Sequence, residues 1–253
     1  MLRVSEATIK RWADEGLVAC YRTPGGHRKF RSRDVSAFAS AHDFELRRTS
    51  AANVPSRDEV LRTALAGDAT RLFDTVLPAM GAGLPIERLL DEVLADALHE
   101  VGEQWACAEL SVADEHIASA TVIDVLSRLH PHVARPPRNG VAISACVPNE
   151  RHDIAARMAA MVLASRGYRC LLTGADTPTD ALLALIEQHH PRIVALSASI
   201  TADRETVSHV LRQVASVVGR RTRLLAGGDG LTEGILPQGF VRVANMRALS
   251  ATL

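Results

Sequence analysis

The 253 residues contain no Cys-x-x-Cys pair, no long apolar run and few aromatic side chains. Cys20, Cys107, Cys146 and Cys170 stand alone, which argues against a structural zinc site and a disulfide framework. No apolar stretch reaches the ~18 residues a membrane span needs, and no signal peptide is present, so no membrane partner and a cytoplasmic location are expected. Aromatics make up 4% against 47% hydrophobic residues, so the core must be mostly Ala, Leu and Val. Formal net charge is zero, yet Met1 to Arg33 holds eight Lys/Arg against three Asp/Glu. A basic end on a neutral body points to an anionic partner there.

Three segments read differently. Residues 1–45 form short elements rich in Arg and turn residues. A polar linker, "ELRRTSAANVPSRDE", follows. Residues 57–134 carry helical periodicity, with Leu61, Leu65, Leu72, Val76, Leu89, Leu90, Val93, Leu94 and Leu98 at three- and four-residue steps. Gly67, the 81–83 turn and the 106–110 region divide this stretch into four helices, a small bundle. After the linker "HVARPPRNG", residues 140–253 alternate apolar runs (141–146, 169–173, 192–197, 222–226, 240–244) with helical stretches (152–166, 178–190, 203–217, 229–236, 246–252). That alternation implies a parallel sheet covered on both faces. Such sheets bind ligands outside the carboxyl ends of their strands. His152 and Gly227-Gly228 fall on that edge.

In "VSEATIKRWADEGL", Ser5 can cap a helix whose apolar face is Ile9, Trp12 and Ala13. Thr8, Lys10 and Arg11 lie elsewhere and can enter a groove. A hairpin around Thr23-Pro24-Gly25-Gly26 follows, flanked by Arg22, His27, Arg28, Lys29 and Arg31. Its cations can contact phosphates, which gives affinity and position rather than sequence choice. Taken alone, a charge run is more often a solvated surface. "VSEATIKRWADEGL" with "RTPGGHRKFR" resembles the winged helix-turn-helix of the MerR family of transcription regulators. The resemblance implies operator DNA as a partner. That family has a further helix ending near the position of Leu2, so a truncated helix-turn-helix is expected, through a start codon called too late or a trimmed chain.

Glu150-Arg151-His152-Asp153-Ile154-Ala155 comes next. Forty-one residues separate Ala155 from Ser197, and 27 separate Ser199 from Gly227-Gly228. A histidine at a helix start is most often structural. Here the pattern resembles the vitamin B12-binding fold, a flavodoxin-like Rossmannoid domain with Asp/Glu-x-His-x-x-Gly, then Ser-x-Leu, then Gly-Gly. The resemblance implies that His152 ligates the cobalt of a cobalamin, with Glu150 on its other ring nitrogen and Asp153 beside it. Imidazole suits such a metal, and a carboxylate behind it raises ligand basicity. The nucleotide tail would lie beside the sheet, where Ser197, Gly227 and Gly228 leave room. Ala155 stands where the family has glycine, and Ser199 where it has leucine.

Trp105, nine residues, then Glu115-His116 resembles the helical cap of the CarH and LitR group of B12-dependent light-sensing repressors. By that resemblance Trp105 packs on the upper adenosyl group, Glu115 bonds its polar edge, and Val112 and His116 complete the wall. Members carry a histidine after the Trp; here it is Ala106, with Cys107 adjacent. The resemblance covers nearly the whole chain. It implies a non-catalytic repressor with adenosylcobalamin as chromophore. In the dark this would be a homo-oligomer, dimer or tetramer, on operator DNA; light would cleave the Co–C bond and release it. Two alternatives stay open: a light-independent regulator sensing cobalamin or a bilin, and a corrinoid methyl-carrier protein.

Overall fold

The structure, a computed structural model, describes residues 6–22, 28–30, 38, 54–199, 202–231 and 234–253. The chain divides into two compact units, Met1–Asn53 and Val54–Leu253. No helix among the described residues is long and apolar enough to cross a membrane.

The first unit holds helix α1 (Glu6–Asp14) and strands β1 (Cys20–Arg22) and β2 (Arg28–Phe30). Trp12 packs its ring 5.0 Å from that of Phe38, and the turn after α1 buries Val18. The strands pair antiparallel, with Tyr21 opposite Lys29 and Arg22 opposite Arg28. A helix followed by a hairpin is the expected wing arrangement.

The second unit begins with four helices, as the periodicity predicts. These are α2 (Arg57–Leu65), α3 (Ala69–Gly81), α4 and α5 (Val112–Val133). Side-chain caps start three of them: Ser56 for α2, Asp68 for α3, and a Ser111/Asp114 capping box for α5. Helix α4 is composite. Its ends, Ile86–Leu89 and Asp96–Ala106, flank a π-helical turn at Leu90–Ala95. Leu72, Val76, Leu89, Leu90, Val93 and Leu94 are fully buried, while Leu61, Leu65 and Leu98 pack at the margin of the core.

Five parallel strands follow, in the spatial order β4-β3-β5-β6-β7: β3 (Val141–Cys146), β4 (Arg169–Gly174), β5 (Ile193–Ser197), β6 (Arg223–Gly227) and β7 (Phe240–Val243). Helices α6 (Ile154–Ser165), α7 (Thr179–His189), α8 (Arg204–Val217) and α9 (Met246–Ala251) complete the domain. Strand alternation sorts the core into two faces. Ala142, Ile193 and Leu225 point with α6 into the same apolar cluster as the bundle. Ile143, Val194 and Leu224 point the other way, with α7 and α8. The bundle and the sheet therefore share one core.

The helix expected at 229–236 is absent among the described residues, which form turns. Gly228 and Gly234 have φ of 106° and 77°, a region that breaks a right-handed helix. A Cβ at Gly228 would lie 2.1 Å from the carbonyl oxygen of Ala198. Gly228→Ala should therefore destabilise the protein by about 2 kcal/mol or more. By contrast, the mid-helix Gly102 has open space around its missing Cβ, so Gly102→Ala should stabilise by about 0.5–1 kcal/mol. Urea unfolding midpoints of the two variants should move in opposite directions.

Candidate functional site

The loop joining β3 to α6 is fixed by one buried carboxylate. Glu150 is fully buried. Its Oε1 accepts the backbone N–H of His152 at 2.7 Å and lies 2.9 Å from the Nδ1 of the same residue. Its Oε2 accepts the backbone N–H of Ser199, at the end of β5. The carbonyl of Glu150 accepts the Asp176 N–H at 2.7 Å. Asn149 takes φ of 64°, which Asn tolerates, and donates its N–H to Asp176. Cys146 reaches the His152 carbonyl at 3.6 Å. The imidazole itself is 61% exposed. With Nδ1 bonded to Glu150, Nε2 is the ring nitrogen without a hydrogen-bond partner among the described residues.

Burial pushes the Glu150 carboxyl upward, but hydrogen bonds from Ser199 and His152 outweigh it and hold the group below its ordinary value of 4.5. Burial, reinforced by Glu150 and Asp153, pushes the Cys146 thiol up to about 12, so it is unreactive at neutral pH. A depressed carboxyl stabilises the fold fully above its unfolded value and loses that contribution as pH falls through the folded value. Acid unfolding of the parent should therefore steepen below pH 4.5. Glu150→Gln should be less stable at pH 7 and show a flatter profile in that window, by circular dichroism.

His152 opens onto a cleft of about 650 Å³ between the carboxyl edge of the sheet and the bundle. From the sheet side Ala155, Ser197, Ser199, Gly227 and Gly228 line it with His152. From the bundle side come Asp96, His99, Gly102, Glu115 and Ser119. The sequence motif is thus brought together in one place. The glycines have a local reason to be there. A Cβ at Gly227 would meet the Val243 carbonyl at 2.9 Å, and Gly228 crowds Ala198. They let β5, β6 and β7 end close together, besides leaving room in the cleft. Ala155 is exposed at the start of α6, so its methyl takes up cleft space.

Other expected residues sit elsewhere. Asp153 is buried and pairs with Arg157 at 2.7 Å, one turn along α6, and does not line the cleft. Trp105, Val112 and His116 do not line it either. Trp105 is 49% exposed and Val112 54%. Glu115 does line it, accepting the Ser119 hydroxyl at 2.7 Å. In the first unit Lys10 and Arg11 are exposed on α1, and Arg11 lies 3.9 Å from Glu15. Thr8 is half-buried, one turn before Trp12, so it does not share their exposed face. Arg22, Arg28 and Lys29 lie on the hairpin strands; Ser5, His27 and Arg31 fall outside the described residues.

His99, Gly102 and Ser119 were not anticipated. Their signal was faint: His99 and Gly102 are one turn apart on α4, and Ser119 follows Glu115 by four. Among the described residues no group of three or more His, Cys, Asp or Glu could hold a metal ion. A lone oriented imidazole suits a metal whose other positions a macrocycle supplies.

Residues 140–235 match the model of the B12 binding domain, residues 56–130 a second B12 binding domain model, and residues 1–43 a helix-turn-helix domain. The chain carries a B12-binding module behind a helix-turn-helix domain. It is 29% identical over 250 residues to the HTH-type transcriptional repressor CarH of Myxococcus xanthus, covering 87% of this chain and 83% of that protein. It is 33% identical over 135 residues to the HTH-type transcriptional repressor CarA of the same organism, covering 53% and 44%. The fold is similar to that of the monomethylamine corrinoid protein of Methanosarcina barkeri, with a TM-score of 0.63 at 15% identity over 77% of this chain and 94% of that one. The whole is consistent with a CarH-type B12-binding regulator.

Proposed function

We propose that the protein is a B12-dependent photoreceptor and transcriptional repressor that binds adenosylcobalamin in the cleft. The observation that carries this reading is the imidazole of His152. It is held through Nδ1 by a buried carboxylate, with Nε2 turned to a cleft floored by small residues. His152 would hold the cobalt of a corrinoid through one pre-oriented nitrogen, and Ser197, Gly227 and Gly228 would leave room beside the sheet for a nucleotide tail. Glu115 and Ser119 offer polar atoms from the opposite wall, and Trp105, Val112 and His116 are exposed near them in sequence and available to cover an upper ligand. When bound, adenosylcobalamin supplies a cobalt–carbon bond that green or blue light breaks. The bundle residues would hold the cofactor's upper group in the dark, and their closed arrangement would favour a homo-oligomer on operator DNA; without that group the closed arrangement would lose a contact and the equilibrium would shift away from DNA binding. Lys10, Arg11 and the hairpin strands with Arg22, Arg28 and Lys29, together with His27 and Arg31 next to them in sequence, serve to contact phosphates and the groove. The similarity to two repressors and the helix-turn-helix match support the DNA arm.

The test is spectroscopic. Protein incubated with adenosylcobalamin in the dark should retain the pigment through gel filtration and change its spectrum on green illumination. Failure to retain any cobalamin sinks the cofactor assignment; retention without a light response leaves a light-independent sensor. His152→Ala should alter the lower-axial spectrum, and Glu150→Gln should weaken cobalamin binding about 10- to 100-fold. An unchanged His152→Ala spectrum removes this residue from cobalt. Methyl transfer to a thiol acceptor would instead identify a corrinoid carrier. Coincident dark and light elution volumes would rule out the oligomer switch.

A further inference from the structure

The amino edge of the parallel sheet lies opposite the cleft, and arginines mark its strand starts. Arg138 precedes β3, Arg169 opens β4, Arg192 precedes β5, Arg220 and Arg221 precede β6, and Arg223 opens it. The ladder ties these starts together. The N–H of Arg169 donates to the Gly140 carbonyl at 2.9 Å, that of Arg192 to Val141 at 2.7 Å, and that of Arg223 to Arg192 at 2.8 Å. With strands ~4.8 Å apart, four adjacent starts span roughly 15 Å. All six arginines are exposed. None makes an ion pair or a side-chain hydrogen bond among the described residues. Three of them, with His190, line a second cleft of about 510 Å³, where Glu187 is the one carboxylate.

Helix dipoles do not account for this charge. The carboxyl ends of α6, α7 and α8 meet this edge and contribute about half a negative charge each. Six guanidinium groups exceed that and Glu187 together by about twofold. The charge is also segregated along the chain: residues 57–134 hold fourteen Asp/Glu against five Lys/Arg, and residues 135–253 hold fourteen Lys/Arg against nine Asp/Glu. A polyanion is repelled by the bundle and drawn to this edge.

We propose that the amino edge of the sheet is a second contact surface for the phosphate backbone of duplex DNA, additional to the helix-turn-helix unit. The cations are all arginine, whose planar fork matches phosphate oxygens in pairs. Protein-binding surfaces combine Arg with aromatic and Met anchors around a centre poor in other charges, whereas DNA-binding surfaces are strongly positive throughout. No described aromatic residue is exposed along this edge; Phe240 is half-buried. The inference rests on the reading that this chain binds DNA.

The test measures affinity of the full chain for a random-sequence duplex across a salt series. Each phosphate contact contributes about 0.9 to the slope of log K against log salt. Arg192→Gln/Arg220→Gln/Arg221→Gln should flatten that slope by about two to three, and Arg138→Gln/Arg169→Gln by about one to two. Both variants should keep the parent's unfolding midpoint and cobalamin spectrum. A folded triple variant with the parent's slope overturns the proposal. So does an unchanged slope with lost self-association, which would assign the edge to the acidic bundle of a second copy. A parent that binds no duplex at any salt removes the DNA reading itself and this surface with it. A slope lost only on Lys10→Gln/Arg11→Gln confines the contacts to the first unit.

Discussion

The buried carboxylate of Glu150 is the constraint on which the site depends. Placing an ionised carboxylate out of water costs several kcal/mol unless its oxygens are paired or hydrogen-bonded. Here the partners come from two places far apart in sequence. His152 supplies its N–H and Nδ1 on one oxygen, and the N–H of Ser199 meets the other. Satisfying Glu150 therefore fixes the β3–α6 loop, the end of β5 and the plane of the imidazole in one step. The imidazole inherits its orientation from a charge that solvent never reaches.

The second wall of the cleft is set by a different group of contacts. The π-helical turn of α4 presents Asp91 to the first N–H groups of α9, which donate from Met246 and Arg247 at 2.9 Å. Glu92 beside it pairs with Arg88 and Arg247, and Glu87 receives Arg166 and Ser250. These polar tethers rim an apolar core that runs from the bundle through α6 into one face of the sheet. Helix α9 thus tethers the bundle to the sheet domain through Asp91 and Glu92 on the wall of the cleft. A glycine at 102 keeps the near wall open at a position where alanine would favour the helix.

Much of this was legible in the sequence, for physical reasons that differ by element. The parallel strands declared themselves as apolar runs because both faces are covered. The four bundle helices followed from periodicity and caps. The grouping of His152 with Ser197 and Gly227 rests on the resemblance of their spacing to the B12-binding fold, and the parallel sheet brings these strand ends to one edge. What failed was local backbone. A helix at 229–236 fitted the apolar pattern, but Gly228, Gly230 and Gly234 serve close approach and positive φ instead. The π-helical turn leaves no trace in composition. Gly227 and Gly228 line the cleft as expected, and the carbonyls of Val243 and Ala198 give them a second, local reason that spacing does not reveal. Asp153 was grouped with the site by adjacency, yet α6 turns it toward Arg157.

Two of the departures, Ala155 and Ser199, lie in the β3–α6 and β5 motifs and act on different terms. Ala155 adds a methyl to the cleft and affects volume alone. Ser199 affects charge: its backbone and hydroxyl both stabilise the anionic Glu150. Every donor added to that carboxylate competes with Nδ1–H for its electron density. An imidazole sharing its carboxylate with Ser199 is therefore a weaker electron donor at Nε2 than one holding it alone. Yet neither substitution touches Nε2, the Glu150–His152 bond or the closure of β5 on β6. A degenerate site would be expected to shed its buried charge first, because an unligated imidazole gains little from a carboxylate so costly to bury. Here that charge is kept and given an extra donor, which argues for a carboxylate–imidazole pair that has been adjusted rather than abandoned.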